Sequence, residues 1–220
     1  MAQATKTASS ALRTSDDPIE SFTTWLQLNS KPLLMGVGAV AVTVAAIMVY
    51  RSTAASTRAK ASLALSEAQV PFAEGKTADA KKALEKVIAR YGTTGAGQQA
   101  AVLLAQVQFE EKQYDAGIKG LEKARGAASA DFKAGIDAMI ASGYELKGDF
   151  AKAAEAYGKA ASASAFDAER RGYEASQARS LMSAGKTADA KKIWEKLATY
   201  EGETVGQEAA VRLGELAGKS

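Results

Sequence analysis

The sequence predicts an all-α protein: a single transmembrane helix followed by a stack of helical hairpins. Three observations carry that prediction. Leu33 to Tyr50 is a run of eighteen residues without a charge, LLMGVGAVAVTVAAIMVY. The three prolines stand at 18, 32 and 71, so the rest of the chain is free to be helical. Gly75-Lys76-Thr77-Ala78-Asp79-Ala80-Lys81-Lys82 recurs as Gly185-Lys186-Thr187-Ala188-Asp189-Ala190-Lys191-Lys192, and such an internal repeat points to a repeat architecture.

Residues 1–15 are Ala, Thr, Ser and Gln with two basic residues, a composition that does not fold alone. Asp17-Pro18-Ile19-Glu20 then reads as a helix start: Asp at the N-cap, Pro at the first helical position, Glu at the third. Ile19, Phe22 and Leu26, with Trp25 offset, give that helix one apolar face. Two readings stay open: a helix lying in the membrane interface on Phe22 and Trp25, or a helical lead-in to the span. Lys31-Pro32 marks a break between the two.

At about 1.5 Å per residue, the run from Leu33 rises about 27 Å, close to the ~30 Å hydrocarbon core of a bilayer. Tyr50 closes it where an interfacial aromatic belongs. A buried core helix would not need an apolar surface on every side. A cleaved signal peptide fits less well, because the apolar core is long and a tail of 31 residues precedes it, although small residues (Thr53-Ala54-Ala55-Ser56) follow. Gly38, Ala41 and Ala45 share a helical face and are candidates for close contact with another membrane helix. Orientation is left open by charge: Arg13 and Lys31 flank one side, Arg51, Arg58 and Lys60 the other, a slight lean to a cytoplasmic C-terminal domain. With no glycine or proline between Gly38 and Pro71, the membrane helix is expected to run on to about Val70 and to kink at Pro71.

The remainder is rich in alanine and carries interleaved charge: 28 basic and 25 acidic residues over the chain, net +3. That is a solvated helical surface, with no nucleic-acid footprint. The chain has no Cys and no His, which removes thiol nucleophiles, disulfides, imidazole bases and imidazole ligands.

Two weaker copies lie between the two strong ones. Ala80, Gly117, Ala153 and Ala190 align at spacings of 37, 36 and 37. Four residues on come Leu84, Leu121, Tyr157 and Trp194, then Val87, Ala124, Ala160 and Leu197. Twelve residues before the register point stand Ala68, Ala105, Ala141 and Ala178. Small residues let antiparallel helices approach, and the large residue one turn away plugs the gap to the next hairpin. Turns are expected at Glu74-Gly75, Glu111-Lys112, Lys147-Gly148-Asp149 and Ala184-Gly185, with a capping helix over about Val205 to Ala217. The pattern resembles tetratricopeptide repeats, best in Gly148-Asp149-Phe150 through Ala153 to Tyr157. The proline that often ends such a unit is missing in all four.

The order of parts is similar to one family in particular. An amphipathic tail, a single span ending in Tyr50-Arg51, an Ala/Ser-rich helix (Arg58 to Leu65), Glu74-Gly75-Lys76 and degenerate repeats resemble the ancillary subunit of the bacterial SecYEG translocon. That resemblance implies an inner-membrane protein with its N-terminus in the cytoplasm and its repeats in the periplasm. It further implies a role in passing translocated chains to periplasmic chaperones. The same layout serves equally as a structural subunit of another membrane complex, respiratory or photosynthetic.

No catalytic, metal or cofactor residues emerge. The loop Gly92-Thr93-Thr94-Gly95-Ala96-Gly97 precedes a helix but lacks the P-loop Lys-Ser/Thr and a preceding strand. Glu110-Glu111 point different ways on a helix. Lys81-Lys82 and Lys191-Lys192 read as solubilising. Candidates for partner contact are Tyr144, Tyr157, Trp194, Arg170 and Arg171, since amphipathic rings and arginines dominate protein interfaces. The sequence thus predicts a tail over 1–31, a membrane helix over 32–52 and a repeat domain over 53–220. Its predicted role is a non-enzymatic adaptor with an integral membrane complex, the bilayer and periplasmic chaperones as partners and no cofactor.

Overall fold

In a computed structural model, the structure describes Ile19, Phe22, Thr23, Trp25, Leu26 and residues 29–218. The proposed N-cap at Asp17 and Pro18 lies outside the described residues, which form helices joined by turns and include no strand. The helices are α1 (Ser30–Ala73), α2 (Thr77–Tyr91), α3 (Gly95–Glu110), α4 (Tyr114–Ala127), α5 (Ala130–Lys147), α6 (Phe150–Ala163), α7 (Asp167–Ser183), α8 (Thr187–Ala198) and α9 (Thr204–Ala217). Internal contacts divide the chain into two units that meet between Ala54 and Ala55.

The first unit holds the apolar run. Pro32 falls in the first turn of α1, where a missing N–H costs nothing, so the break expected at Lys31-Pro32 is where the helix begins. Every described residue from Leu34 to Tyr50 is exposed. Among the described residues α1 is the one helix long and apolar enough to cross a membrane. Within the run, Thr43 Oγ1 donates to the Ala39 carbonyl (2.8 Å), so its hydroxyl is satisfied without water.

The second unit is the repeat stack, entered through the last turns of α1. Ala61, Leu65 and Ala68 are buried on that helix, and Leu65 and Ala68 pack with Leu84, Val87 and Ala100. Pro71 resolves as a helix end: α1 stops two residues later, at Ala73. The closing turn is a Schellman motif, in which Lys76 N–H donates to the Pro71 carbonyl (2.8 Å) and Gly75 N–H to the Phe72 carbonyl (3.0 Å).

That turn is repeated in every unit. Gln113 N–H donates to Gln108 (2.7 Å), Asp149 N–H to Tyr144 (2.9 Å) and Lys186 N–H to Leu181 (2.9 Å). The left-handed residue is Gly75, Lys112, Gly148 or Gly185, with φ of 72°, 62°, 83° and 75°. These four keep the 37, 36, 37 spacing of the buried small residues, so the sequence register is a backbone register. The next residue opens the second helix: its carbonyl accepts from the N–H of Ala80, Gly117, Ala153 or Ala190 at 3.0–3.1 Å. Those four small residues are buried, as are Ala68, Ala105, Ala141 and Ala178 on the facing helices.

Lys112 is the exception, a side chain held where only glycine is unstrained. The left-handed conformation costs an L-residue about 1–2 kcal/mol. Lys112→Gly should therefore raise the unfolding free energy by about 0.5–1 kcal/mol after the entropy of the freer unfolded chain is subtracted. Urea unfolding followed by circular dichroism measures it.

Three apolar clusters run along the stack. One joins α1 to α2 and α3. The next joins α3 to α6 around Phe109, Leu121, Ile136 and Ile140. The third joins α6 to α9 around Trp194, Leu181 and Leu197. The Phe109 ring fills the space that side chains at Gly117 and Gly143 would take: a Cβ on Gly143 would lie 2.5 Å from Phe109 Cζ and 2.8 Å from Ile118 Cγ1.

Candidate functional site

The expected partner-contact residues divide into engaged and available groups. Trp194 is fully buried, and its indole N–H donates to Met182 Sδ (3.2 Å). It plugs the core of the fourth hairpin and presents no surface to a partner. Tyr157 holds the same register position in the third hairpin but is half-buried, with its hydroxyl donating to Glu145 Oε2 (3.0 Å). Ser180 Oγ donates to the other oxygen of that carboxylate (2.7 Å), so Glu145 ties α5, α6 and α7 together. Sequence reasoning misses this hub because its partners are 12 and 35 residues away.

The arginine pair is split. Arg170 pairs with Asp167 one turn back (2.8 Å). Arg171 turns inward: its Nε donates to Glu203 (2.8 Å), and its guanidinium lies 4.6 Å from the Tyr200 ring centroid. It holds the loop before α9. The lysine pairs are not purely solubilising either, since Lys81 Nζ reaches Glu111 in the turn of the next hairpin (2.5 Å). The glycine-rich loop has a structural reason: Thr94 caps α3 by accepting from Gly97 N–H (3.1 Å), and the Tyr91 carbonyl occupies the place of a Cβ at Gly97. Gly206 repeats this against the Tyr200 carbonyl.

In the first unit Phe22 and Trp25 are exposed and stack, with ring centroids 6.3 Å apart and an interplanar angle of 22°. Tyr50 is also exposed. Gly38, Ala41 and Ala45 are exposed, and nothing lies within 4 Å of where a Cβ on Gly38 would stand.

Tyr144 lines a groove floored by α5 and walled by α4 and α6, of about 350 Å³. Asp137 lies in its floor, nearly inaccessible to solvent, and Arg125 Nε donates to its Oδ1. That hydrogen bond holds the Arg125 guanidinium above its ordinary pKa. Asp137 Oδ2 is buried and accepts no hydrogen bond from the protein. Neither the pair nor the groove has a sequence signal, since Arg125 ends one helix and Asp137 is central in the next.

Two tyrosines titrate late. Burial, then the Glu145 charge, push Tyr157 well above its ordinary pKa; burial, then the Glu169 charge, push Tyr173 up to about 12. The neutral phenols favour the folded state: this contribution is complete below pH ~10, the unfolded value, and disappears as pH climbs through the folded values. Spectrophotometric titration should show late-ionising phenols, and Tyr157→Phe and Tyr173→Phe should each remove part of that late amplitude.

A stack of helical hairpins with a groove between α4, α5 and α6 is an architecture suited to protein interaction. Residues 23–196 match the tetratricopeptide repeat-like domain family, and the chain belongs to it. No curated protein matches. Among solved structures, it is similar to a Podosopora anserina protein assigned as a kinesin light chain with nearly identical TPR-like repeats, and to a variant of it. Each shows 15% identity and a TM-score of 0.53 over 69% of this chain and 82% of the other. At that identity the likeness supports the fold.

Proposed function

We propose that the protein is a single-pass, membrane-anchored adaptor whose repeat domain binds protein partners at the membrane surface. The observation that carries this reading is the combination, in one chain, of a wholly exposed apolar run, Leu34 to Tyr50, with a tetratricopeptide repeat-like domain. Exposed apolar surface on this scale needs lipid or protein around it. Exposed Phe22, Trp25 and Tyr50 supply aromatic anchors near the run's two ends. The span confines the repeats near the bilayer, which raises their effective concentration for a membrane-bound partner. The partner we favour is a protein-translocation channel, with the repeats on the far side of the inner membrane receiving chains for chaperones. That choice rests on the resemblance of the tail, span and Ala-rich repeat layout to the ancillary subunit of the bacterial SecYEG translocon. Gly38, Ala41 and Ala45 offer the small face for contact with its helices.

Purification from native membranes in mild detergent tests this reading. Co-elution with the translocation channel is the expected result. Co-elution at fixed stoichiometry with a different membrane complex replaces the translocon by that complex, and elution with no membrane protein overturns the adaptor reading.

A further inference from the structure

We propose that the outer face of α9 receives one amphipathic helix of a partner protein, laid antiparallel across it as α4 lies across α3. The proposal deepens the adaptor reading and rests on it. Its starting point is the second half of the strong repeat. Gly97-Gln98-Gln99-Ala100-Ala101-Val102 in α3 returns as Gly206-Gln207-Glu208-Ala209-Ala210-Val211 in α9. The two helices are seated alike. Ala100 and Ala209 are fully buried on the inner side, and the carbonyl of Tyr91 or Tyr200 occupies the place of a Cβ on Gly97 or Gly206.

Their outer sides differ. Gln98, Ala101 and Ala105 share one face of α3 and are buried, and α4 lies over that side. Gln98 Nε2 donates to the Ala127 carbonyl at the far end of α4 (3.2 Å). Toward its near end, a Cβ on Gly117 would lie 3.3 Å from the Ala105 carbonyl oxygen. The two helices thus run antiparallel in close contact. The corresponding residues of α9, Gln207, Ala210 and Gly214, are exposed, and Val211 beside them is 61% exposed. A helix packed on one side alone carries charge on the other. On α9 Glu208, Arg212 and Glu215 instead lie along one flank, where Arg212 pairs with both acids. The outer face is small and apolar, a helix–helix contact without its second helix.

Charge describes how the missing helix begins. In the first copy Lys81 Nζ reaches Glu111, in the turn that leads into α4 (2.5 Å). Lys191 holds the same position in the second copy and meets Glu195 of its own helix at 3.8 Å. It lines an open groove of about 500 Å³ between α8 and α9, with Leu213 and Leu216 on the wall. The occupant is therefore a helix with a carboxylate just before its first turn. It also carries a glycine or alanine beside large apolar residues, spaced as Glu111, Gly117, Ile118 and Leu121 are in this chain.

The test uses the full chain in lipid nanodiscs and a fluorescein-labelled peptide of the chain's own Glu110–Ala128, which carries that pattern. Fluorescence anisotropy is read against empty nanodiscs. The peptide should bind, and Ala210→Glu/Gly214→Glu, at exposed positions, should weaken it at least about tenfold with helicity unchanged. A peptide variant leaves the chain untouched. Gly117→Leu makes the peptide more helical and more apolar, which strengthens mere adsorption but should weaken a close helix contact at least about tenfold. Lys191→Glu should weaken the original peptide about threefold, and the Glu111→Lys peptide should regain that loss. Binding unchanged by the α9 double variant, tighter binding of the Gly117→Leu peptide, failure of the charge swap, or no binding would each overturn the proposal. So would a chain that takes up no peptide and pairs with a second copy through α9, a dimer that the double variant dissociates. Co-elution with a membrane complex is scored separately. A chain that keeps its complex but ignores the peptide loses the α9 site and retains the adaptor role.

Discussion

Trp194→Ala should lower the unfolding free energy of the repeat domain by about 3–5 kcal/mol, among the largest effects a single truncation in this chain can have. The indole is fully buried among Ala178, Ala190, Leu181, Leu197 and Ala209. Alanine neighbours have no side chain to swing into the void, so the cavity persists and the cost falls toward the upper end of that range. The loss should also be local. A stack of hairpins is held by nearest-neighbour contacts, so hydrogen exchange should rise first in α8 and α9, while the α2–α3 region stays protected. A loss below about 1 kcal/mol in urea unfolding would mean that Trp194 does not fill the core.

Arg125→Met should cost about 3 kcal/mol, for a different reason. Arg125 is partly exposed, at 37% of its side chain, so its own attraction is screened. Asp137 is 2% exposed at the side chain, and removing its partner leaves a carboxylate stranded in the floor of the groove. The double variant Arg125→Met/Asp137→Leu removes both charges and should recover most of the loss, because apolar pairs of similar size replace buried ion pairs without net cost. Chemical denaturation of the two variants separates stranding of a charge from loss of packing. Equal instability would assign the site to packing alone.

The two variants mark what the sequence shows and what it hides. Trp194 lies on a period written in alanine and glycine, and that period sets both the turns and the buried small positions. Hairpin spacing is legible because each turn needs a left-handed residue and each crossing needs a small one. The period places a turn at Glu111-Lys112 as well, but a lysine there gives no sign of positive φ. The period does not reveal how far a plug is buried: Leu84, Leu121 and Trp194 are enclosed, while Tyr157 keeps its hydroxyl on Glu145. Arg125–Asp137 and the Glu145 hub arise from side-chain reach across three dimensions, and no spacing encodes them.

The apolar run was legible from composition alone, and its exposure in the structure sharpens its consequence. Sodium carbonate extraction of native membranes at alkaline pH tests this most directly. The account predicts that the intact chain stays in the membrane pellet and that a chain lacking residues 33–50 moves to the supernatant. Intact chain recovered in the supernatant would contradict the membrane anchor on which the proposed function depends.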